Sequence, residues 1–181
     1  MAVLIRLAGP ADAAAIAAIY RPFVEESRVS FEDSAPDAAE MERRIAGERP
    51  GFHPWLVAEE DGRVVGYAAS SPFRSRAAYR WVVETGIYLA PEGCGRGIGR
   101  ALLTPLLELL ERQGYVAAIG AIALPNEASV ALHEKLGFTY SGTYRRVGFK
   151  LGEWLHVGLW QKELAPRSAE PAEPLPYAGL I

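Results

Sequence analysis

One cysteine, two methionines and three histidines among 181 residues leave little for disulfide or soft-metal chemistry. A single thiol cannot close an internal disulfide, and three histidines without a Cys-x-x-Cys pair do not make an ordinary zinc pattern. Long apolar runs are missing as well. None approaches the ~18 residues needed to cross a bilayer, and the start, Met1-Ala2-Val3-Leu4-Ile5-Arg6, lacks the basic-then-apolar layout of a secretory leader. There is no dense Lys/Arg block either: 19 basic and 22 acidic residues give a formal net charge of −3, which argues against a nucleic-acid partner. What remains, 50% hydrophobic and 23% charged, is the balance of a cytoplasmic globular protein. A chain of this length buries about 70% of its unfolded surface, so its core needs no metal.

Apolar spacing predicts the elements. Val3 to Leu7 reads as a strand, and Asp12 to Glu26 as a helix with Asp12 as N-cap and either a kink or a break into two helical pieces at Pro22. A second amphipathic helix spans Pro36 to Glu48 and stops at Pro50-Gly51. Trp55–Glu59 and Val64–Ala68 flank Asp61-Gly62, a strong hairpin signal. Trp81 to Leu89 is a further strand with Gly86 inside it, a mark of a bulge or a close backbone approach. After a glycine-rich turn come a helix over Ala101–Gln113 containing Pro105, a buried strand over Val116–Leu124, and a helix over Asn126–Leu136 closed by Gly137. Phe138–Val147 and Trp154–Leu164 read as two closing strands. Hairpins beside strand–helix–strand crossovers imply an α/β fold, a mixed sheet with helices on both faces. Residues 1–164 form the domain. From Ala165 onward four prolines interrupt any pattern, and an extended or mobile tail over 165–181 is expected.

The turn Gly93-Cys94-Gly95-Arg96-Gly97-Ile98-Gly99-Arg100 follows a strand and opens a helix. Unpaired N–H groups of a first helical turn and the helix dipole favour an anion, and glycines let backbone approach it closely. Arg96 and Arg100 add positive charge. The loop is neither a Walker A sequence nor a dinucleotide fingerprint. On residues alone, a phosphate cradle and a ligand-free helix entry both fit.

The segment Cys94-Gly95-Arg96-Gly97-Ile98-Gly99 resembles the acyl-CoA-binding motif of the GNAT superfamily of N-acyltransferases, Gln/Arg-x-x-Gly-x-Gly/Ala, with Cys94 where Gln or Arg is usual. Leu124-Pro125-Asn126-Glu127-Ala128-Ser129 and Leu132-His133-Glu134-Lys135-Leu136-Gly137-Phe138 are similar to the motif that follows it. Arg76–Tyr79, Val83-Glu84 and Gly148–Trp154 extend the resemblance, which covers about residues 3–164 and is closest to phosphinothricin and methionine sulfoximine acetyltransferases. It implies a mostly antiparallel, twisted sheet with a splayed central strand pair, acetyl-CoA as co-substrate, no metal, and a homodimer. It also implies that Ile87, Tyr88 and Leu89 run beside the pantetheine arm, with a backbone N–H near Leu89 on the thioester carbonyl. Gly95, Arg96, Gly97, Ile98, Gly99 and Arg100 would take the diphosphate and Asn126 the pantetheine amide, although Asn126 is also explained as an N-cap.

An acceptor amine arrives as an ammonium and must lose a proton before attack. Glu84, in a strand rich in Trp81, Val82, Val83 and Ile87, is the candidate base; the alternative is a carboxylate facing solvent. His133 stands where many members of the superfamily place a tyrosine thought to protonate the leaving thiolate, or else is a structural histidine. For an amino-acid acceptor, Arg76 offers a bidentate donor to a carboxylate, with Arg74 and Tyr79 in the same segment and Phe31 as an aromatic wall. Two surface arginines are the plainer reading of that segment. The implied reaction is acetyl transfer to the α-amino group of a small amino-acid-like substrate. Another amine acceptor, or a non-catalytic acyl-CoA-binding domain, are the alternatives.

Overall fold

The structure, a computed structural model, describes residues 3–180. Its strands are β1 (Leu4–Leu7), β2 (Trp55–Glu60), β3 (Arg63–Pro72), β4 (Val82–Leu89), β5 (Ala117–Leu124), β6 (Thr139–Lys150) and β7 (Glu153–Glu163). Its α-helices are α1 (Ala13–Glu25), α2 (Ala38–Ala46), α3 (Ile98–Arg112) and α4 (Glu127–Lys135). The strands make one sheet in the order β1-β2-β3-β4-β5-β7-β6. Every neighbouring pair is antiparallel except β4 and β5.

Period-2 alternation divides the sheet's side chains between two layers. Val57 and Tyr67 face Ile16, Tyr20 and Val24 of α1 and Met41 of α2. Leu56, Ala58, Val65 and Ala68 face Leu102, Leu103, Leu106 and Leu110 of α3. Those four leucines are fully buried at helical spacing, each contributing about 1.5–3 kcal/mol by removal from water. The β2–β3 hairpin turns on Asp61 (φ 50°) and Gly62 (φ 74°), the left-handed pair that a two-residue turn requires.

Several local expectations change. Asp12 does not cap α1 through its side chain. Its carboxylate takes two 2.8 Å bonds from the Arg6 guanidinium and one from the Gly9 N–H, and Arg6 holds its pKa below the usual carboxylate range. Pro22 neither splits nor ends α1, because it lies in the last turn, and α3 runs unbroken through Pro105. Gly86 makes no bulge: β3 and β4 stay in register from Gly66–Leu89 to Pro72–Val83. The bulges lie instead at Ala58/Glu59 and twice in β6, at Ser141 between Tyr140 and Gly142 and where residues 145–147 loop out between Tyr144 and Gly148. The proline-rich segment is extended but docked. Leu175 N–H donates to the Gln113 carbonyl and Tyr177 N–H to that of Gly51, both at 2.7 Å.

Candidate active site

The central feature is a strand pair that parts. β4 and β5 pair only over Val82–Glu84 with Ala117–Ile119. Beyond that rung β5 stays paired to β7 through Leu124 and β4 to β3 through Leu89, so the two diverge. The gap holds a cavity of ≈ 610 Å³. Thr85 to Leu89 form one wall and Ala121 to Ala123 the other, with the glycine loop and the first turns of α4 across the end. Phe23 and Val29 line it from the α1 side, Leu132 and His133 from the α4 side, so both layers of the fold contribute to it.

The glycine loop forms the α3 end of the cavity. Gly97 caps α3 with φ 79°, and Gly95 has φ 72°, conformations that a side chain would strain. The first intrahelical bond is Ala101 N–H to the Gly97 carbonyl, which leaves the Ile98, Gly99 and Arg100 amides without helical acceptors. At Gly99 a Cβ would stand 3.0 Å from Leu132 and 3.4 Å from Ile87, so its absence lets α3 approach both β4 and α4. Gly95, Gly97, Gly99 and Arg100 line the cavity, and Arg100 has no ion-pair partner among the described residues. Arg96 does not line it. Its guanidinium turns back onto the Glu60 carboxylate and the Glu92 carbonyl. The Ile98 side chain is buried in the core, so only its amide faces the loop.

On the β4 side, Ile87, Tyr88 and Leu89 all border the cavity, but the Tyr88 ring packs into a cluster with Tyr20, Phe23 and Tyr67. The backbone of Thr85–Leu89 facing β5 has no strand partner there, an open edge that an extended amide-bearing arm could pair with. Asn126 both caps α4, accepting the Ser129 N–H at 3.2 Å, and lines the cavity.

Glu84 sits on the last paired rung, beside Ile119 of β5 and Ser71 of β3. Alternation along β4 puts it on the same face as Tyr88, toward α1. The carboxylate is half-buried and makes no hydrogen bond or ion pair among the described residues. Burial raises its pKa, and the charge of Arg74 offsets part of that rise.

His133 lines the cavity from α4. Nδ1 lies 2.8 Å from the Ser129 carbonyl, which fixes the proton on that nitrogen. Nε2 is buried without a partner, and the ring packs against Gly120 and edge-on to Phe138. Burial lowers its pKa, so the ring is neutral at pH 7. The expected general acid is therefore an acceptor at its only unengaged nitrogen.

The acceptor-side residues come together in part. The Arg74 guanidinium donates to the Tyr144 hydroxyl at 2.9 Å and lies near the Phe73 and Tyr79 rings. Arg76 begins the 3₁₀ turn Ala77–Tyr79 and is exposed, outside that cluster. Phe31 packs against Gly148 of β6, where any Cβ would collide with its ring. Lys150 fixes that loop by donating to the Ser30 and Glu32 carbonyls at 2.6 and 2.9 Å. Tyr144, Phe23 and Val29 were not singled out from sequence. Tyr144 precedes a bulge with no glycine–proline signature, and the other two face the cavity only once α1 is docked.

A sheet parted at its centre, with a glycine-rich helix entry across the gap, defines a class that presents an extended, anionic acyl carrier to an acceptor on the other face. The chain belongs to the GNAT acetyltransferase family: the family's acetyltransferase (GNAT) domain matches residues 5–159. It is 39% identical to the phosphinothricin N-acetyltransferase of Streptomyces viridochromogenes, over 96% of this chain and 94% of that one. It is 35% identical to an L-methionine sulfoximine/L-methionine sulfone acetyltransferase of Salmonella typhimurium, over 93% and 98%. The fold matches the crystal structure of a Sinorhizobium meliloti phosphinothricin acetyltransferase in complex with acetyl-CoA, with TM-score 0.90 and 38% identity over 97% and 96% of the two chains.

Proposed function

We propose that the protein acetylates the α-amino group of a small amino-acid-like acceptor of the phosphinothricin or methionine sulfoximine type. The observation that carries this is the pairing of a parted β4–β5 seam with a half-buried, unpartnered Glu84 at its closed end. Two relatives named for those acceptors support the acceptor class.

The cavity fits acetyl-CoA by its donors. Free amides at Gly99 and Arg100, the Arg100 side chain and the open edge of Thr85–Leu89 suit a diphosphate joined to an amide-bearing arm. Acetyl-CoA supplies the activated acetyl group as a thioester. Glu84 takes the ammonium proton, directly or through a water, and its raised pKa keeps it a competent base near neutral pH. The freed amine forms the C–N bond as the C–S bond breaks; the leaving thiolate carries the sulfur's electron pair and takes up, directly or through water, the second proton that the new amide nitrogen releases. An N–H near Leu89 stabilises the charge that develops on the carbonyl oxygen. His133, neutral, with Nδ1 on the Ser129 carbonyl and its ring against Gly120 of β5, seats α4 at the cavity wall in place of supplying a proton.

Arg74, Arg76, Tyr79 and Phe31 form the acceptor side, with Arg76 as the exposed donor to a carboxylate. Residues 1–164 are the catalytic domain. The working form is a homodimer: six of the nine exposed large apolar side chains of the described residues lie on the β6–β7 hairpin, at Tyr140, Tyr144, Val147, Phe149, Leu151 and Trp154. The localisation is cytoplasmic.

Thiol release from acetyl-CoA, measured with phosphinothricin, methionine sulfoximine, ordinary amino acids and polyamines, tests this reading. Turnover is expected with the first two. Faster turnover with polyamines, or acetyl-CoA binding without turnover on any amine, would overturn it.

A further inference from the structure

The loop between β3 and β4, residues 73–81, carries Arg74, Arg76 and Tyr79; the domain holds its ends, through the Phe73 N–H on the Val82 carbonyl at 3.4 Å and the Val116 N–H on the Trp81 carbonyl at 2.9 Å, and leaves its middle exposed. Residues 74–78 are exposed, and order in an exposed segment must offset about 1–2 kcal/mol of backbone entropy per residue. On its outer side the loop meets Tyr144 through Arg74. On its inner side it meets the C-terminal segment.

That segment is anchored first by Gln113, a fully buried polar side chain. The Gln113 carbonyl accepts the Leu175 N–H, and its side-chain amide donates back to the Leu175 carbonyl at 2.8 Å and to that of Phe52 at 3.0 Å. Pro174 is buried, with its Cα in van der Waals reach of the position a Gly114 Cβ would take. From this clamp the preceding two residues reach the β3–β4 loop. Trp81 Nε1–H donates to the Ala172 carbonyl at 2.8 Å, and Arg80 Nε donates to the Glu173 carboxylate at 2.7 Å. The same guanidinium lies 4.0 Å over the Trp81 ring and donates to the Ala77 carbonyl at 2.8 Å, tying off the 3₁₀ turn.

We propose that residues 172–177 are a strap that sets the position of the acceptor-recognition loop, with Arg80 and Trp81 as the positioning residues that transmit it. The proposal rests on the acceptor-side assignment given above. Glu84 lies in β4, paired on both sides, so releasing the strap leaves the base in place. An unstrapped loop must be ordered by the acceptor itself, which weakens apparent affinity by the fraction of loops already in place.

The test compares the full chain with a chain ending at Ser168, and with the Trp81→Phe, Glu173→Gln double variant, which keeps the aromatic ring and the side-chain length. Amide hydrogen exchange across 73–81 is expected to accelerate in both. The Michaelis constant for the acceptor should rise, by about tenfold if only a tenth of unstrapped loops are in place, with kcat and the constant for acetyl-CoA within about twofold of the parent. If the shortened chain does not fold, the double variant decides. Unchanged exchange in the loop overturns the strap whatever the acceptor. Faster exchange with an unchanged acceptor constant overturns the loop's place in recognition, and with it the role given to Arg80 and Trp81. A lower melting temperature with both measurements unmoved reduces the segment to a stabilising one and overturns the proposal.

Discussion

Glu84 carries an electrostatic cost that shows in stability as well as in rate. Its folded pKa lies above the ordinary carboxylate value because burial disfavours the charge. Such a group favours the folded state below its unfolded pKa of about 4.3 and loses that contribution as pH rises through the folded value. At neutral pH the ionised carboxylate therefore destabilises the fold. Glu84→Gln is expected to raise the melting temperature at pH 7, to show no such gain near pH 4, and to lower kcat by ~10²-fold or more while acetyl-CoA still binds. Calorimetry at the two pH values, beside a rate assay, checks the sign; a variant less stable at pH 7 contradicts it. The residue was legible in sequence as an acid among apolar neighbours, and in the fold it is half-buried. His133 was visible only as a type at a position. Which nitrogen holds the proton depends on the Ser129 carbonyl one turn earlier, and the lowered pKa on the packing of β5 and Phe138 against the ring.

At the scale of elements, α4 and β5 touch through a glycine whose absent side chain matters. A Cβ at Gly120 would stand 2.7 and 2.8 Å from atoms of the His133 ring. Gly120→Ala should cost ~1–3 kcal/mol by overpacking, since the ring is buried and cannot swing outward. It should also weaken acetyl-CoA binding, because displacing α4 moves Asn126 and Leu132 at the cavity wall. Denaturant unfolding together with cofactor titration reads both effects, and an unchanged midpoint would show that the ring has room to yield. Element order and type were legible where a segment carries a strong local signal: leucines at i and i+4 in α3, and in β2 and β3 two apolar runs either side of Asp61-Gly62. Local register was not. Gly86 reads like a bulge but stays in register with Ala69, whereas the two shifts in β6 each end at a glycine, Gly142 and Gly148, so a strand glycine alone does not say which position bulges. The β4–β5 gap arises from where pairing stops, a property of two strands that neither carries alone.

On the scale of the whole molecule, the apolar face of the β6–β7 hairpin is the part of the surface least suited to water. Trp154 and Phe149 are each 60% exposed, with ring centroids 5.4 Å apart on paired strands. Replacing both with lysine should move the protein from dimer to monomer in sedimentation without altering the circular dichroism of the fold. A parent that already sediments as a monomer would remove the basis for the dimer. The long-range order of the sheet, with β7 inserted between β5 and β6, was not readable from the chain, because a hairpin can add to a sheet by either of its strands. The docking of the C-terminal segment was hidden for a related reason: prolines forbid helix and ladder hydrogen bonds but do not prevent an extended chain from being held by Gln113, Arg80 and Trp81.

The cavity between β4 and β5 is lined from both layers, and Glu84 stands just past its closed end on the face toward α1. Under the proposed function, a donor seated along the glycine loop leaves that face of Glu84 to the acceptor, so the two substrates do not compete for one seat. That geometry suits a direct hand-over in a ternary complex, in which the acetyl group never rests on the protein and no residue of the chain must be regenerated between turnovers.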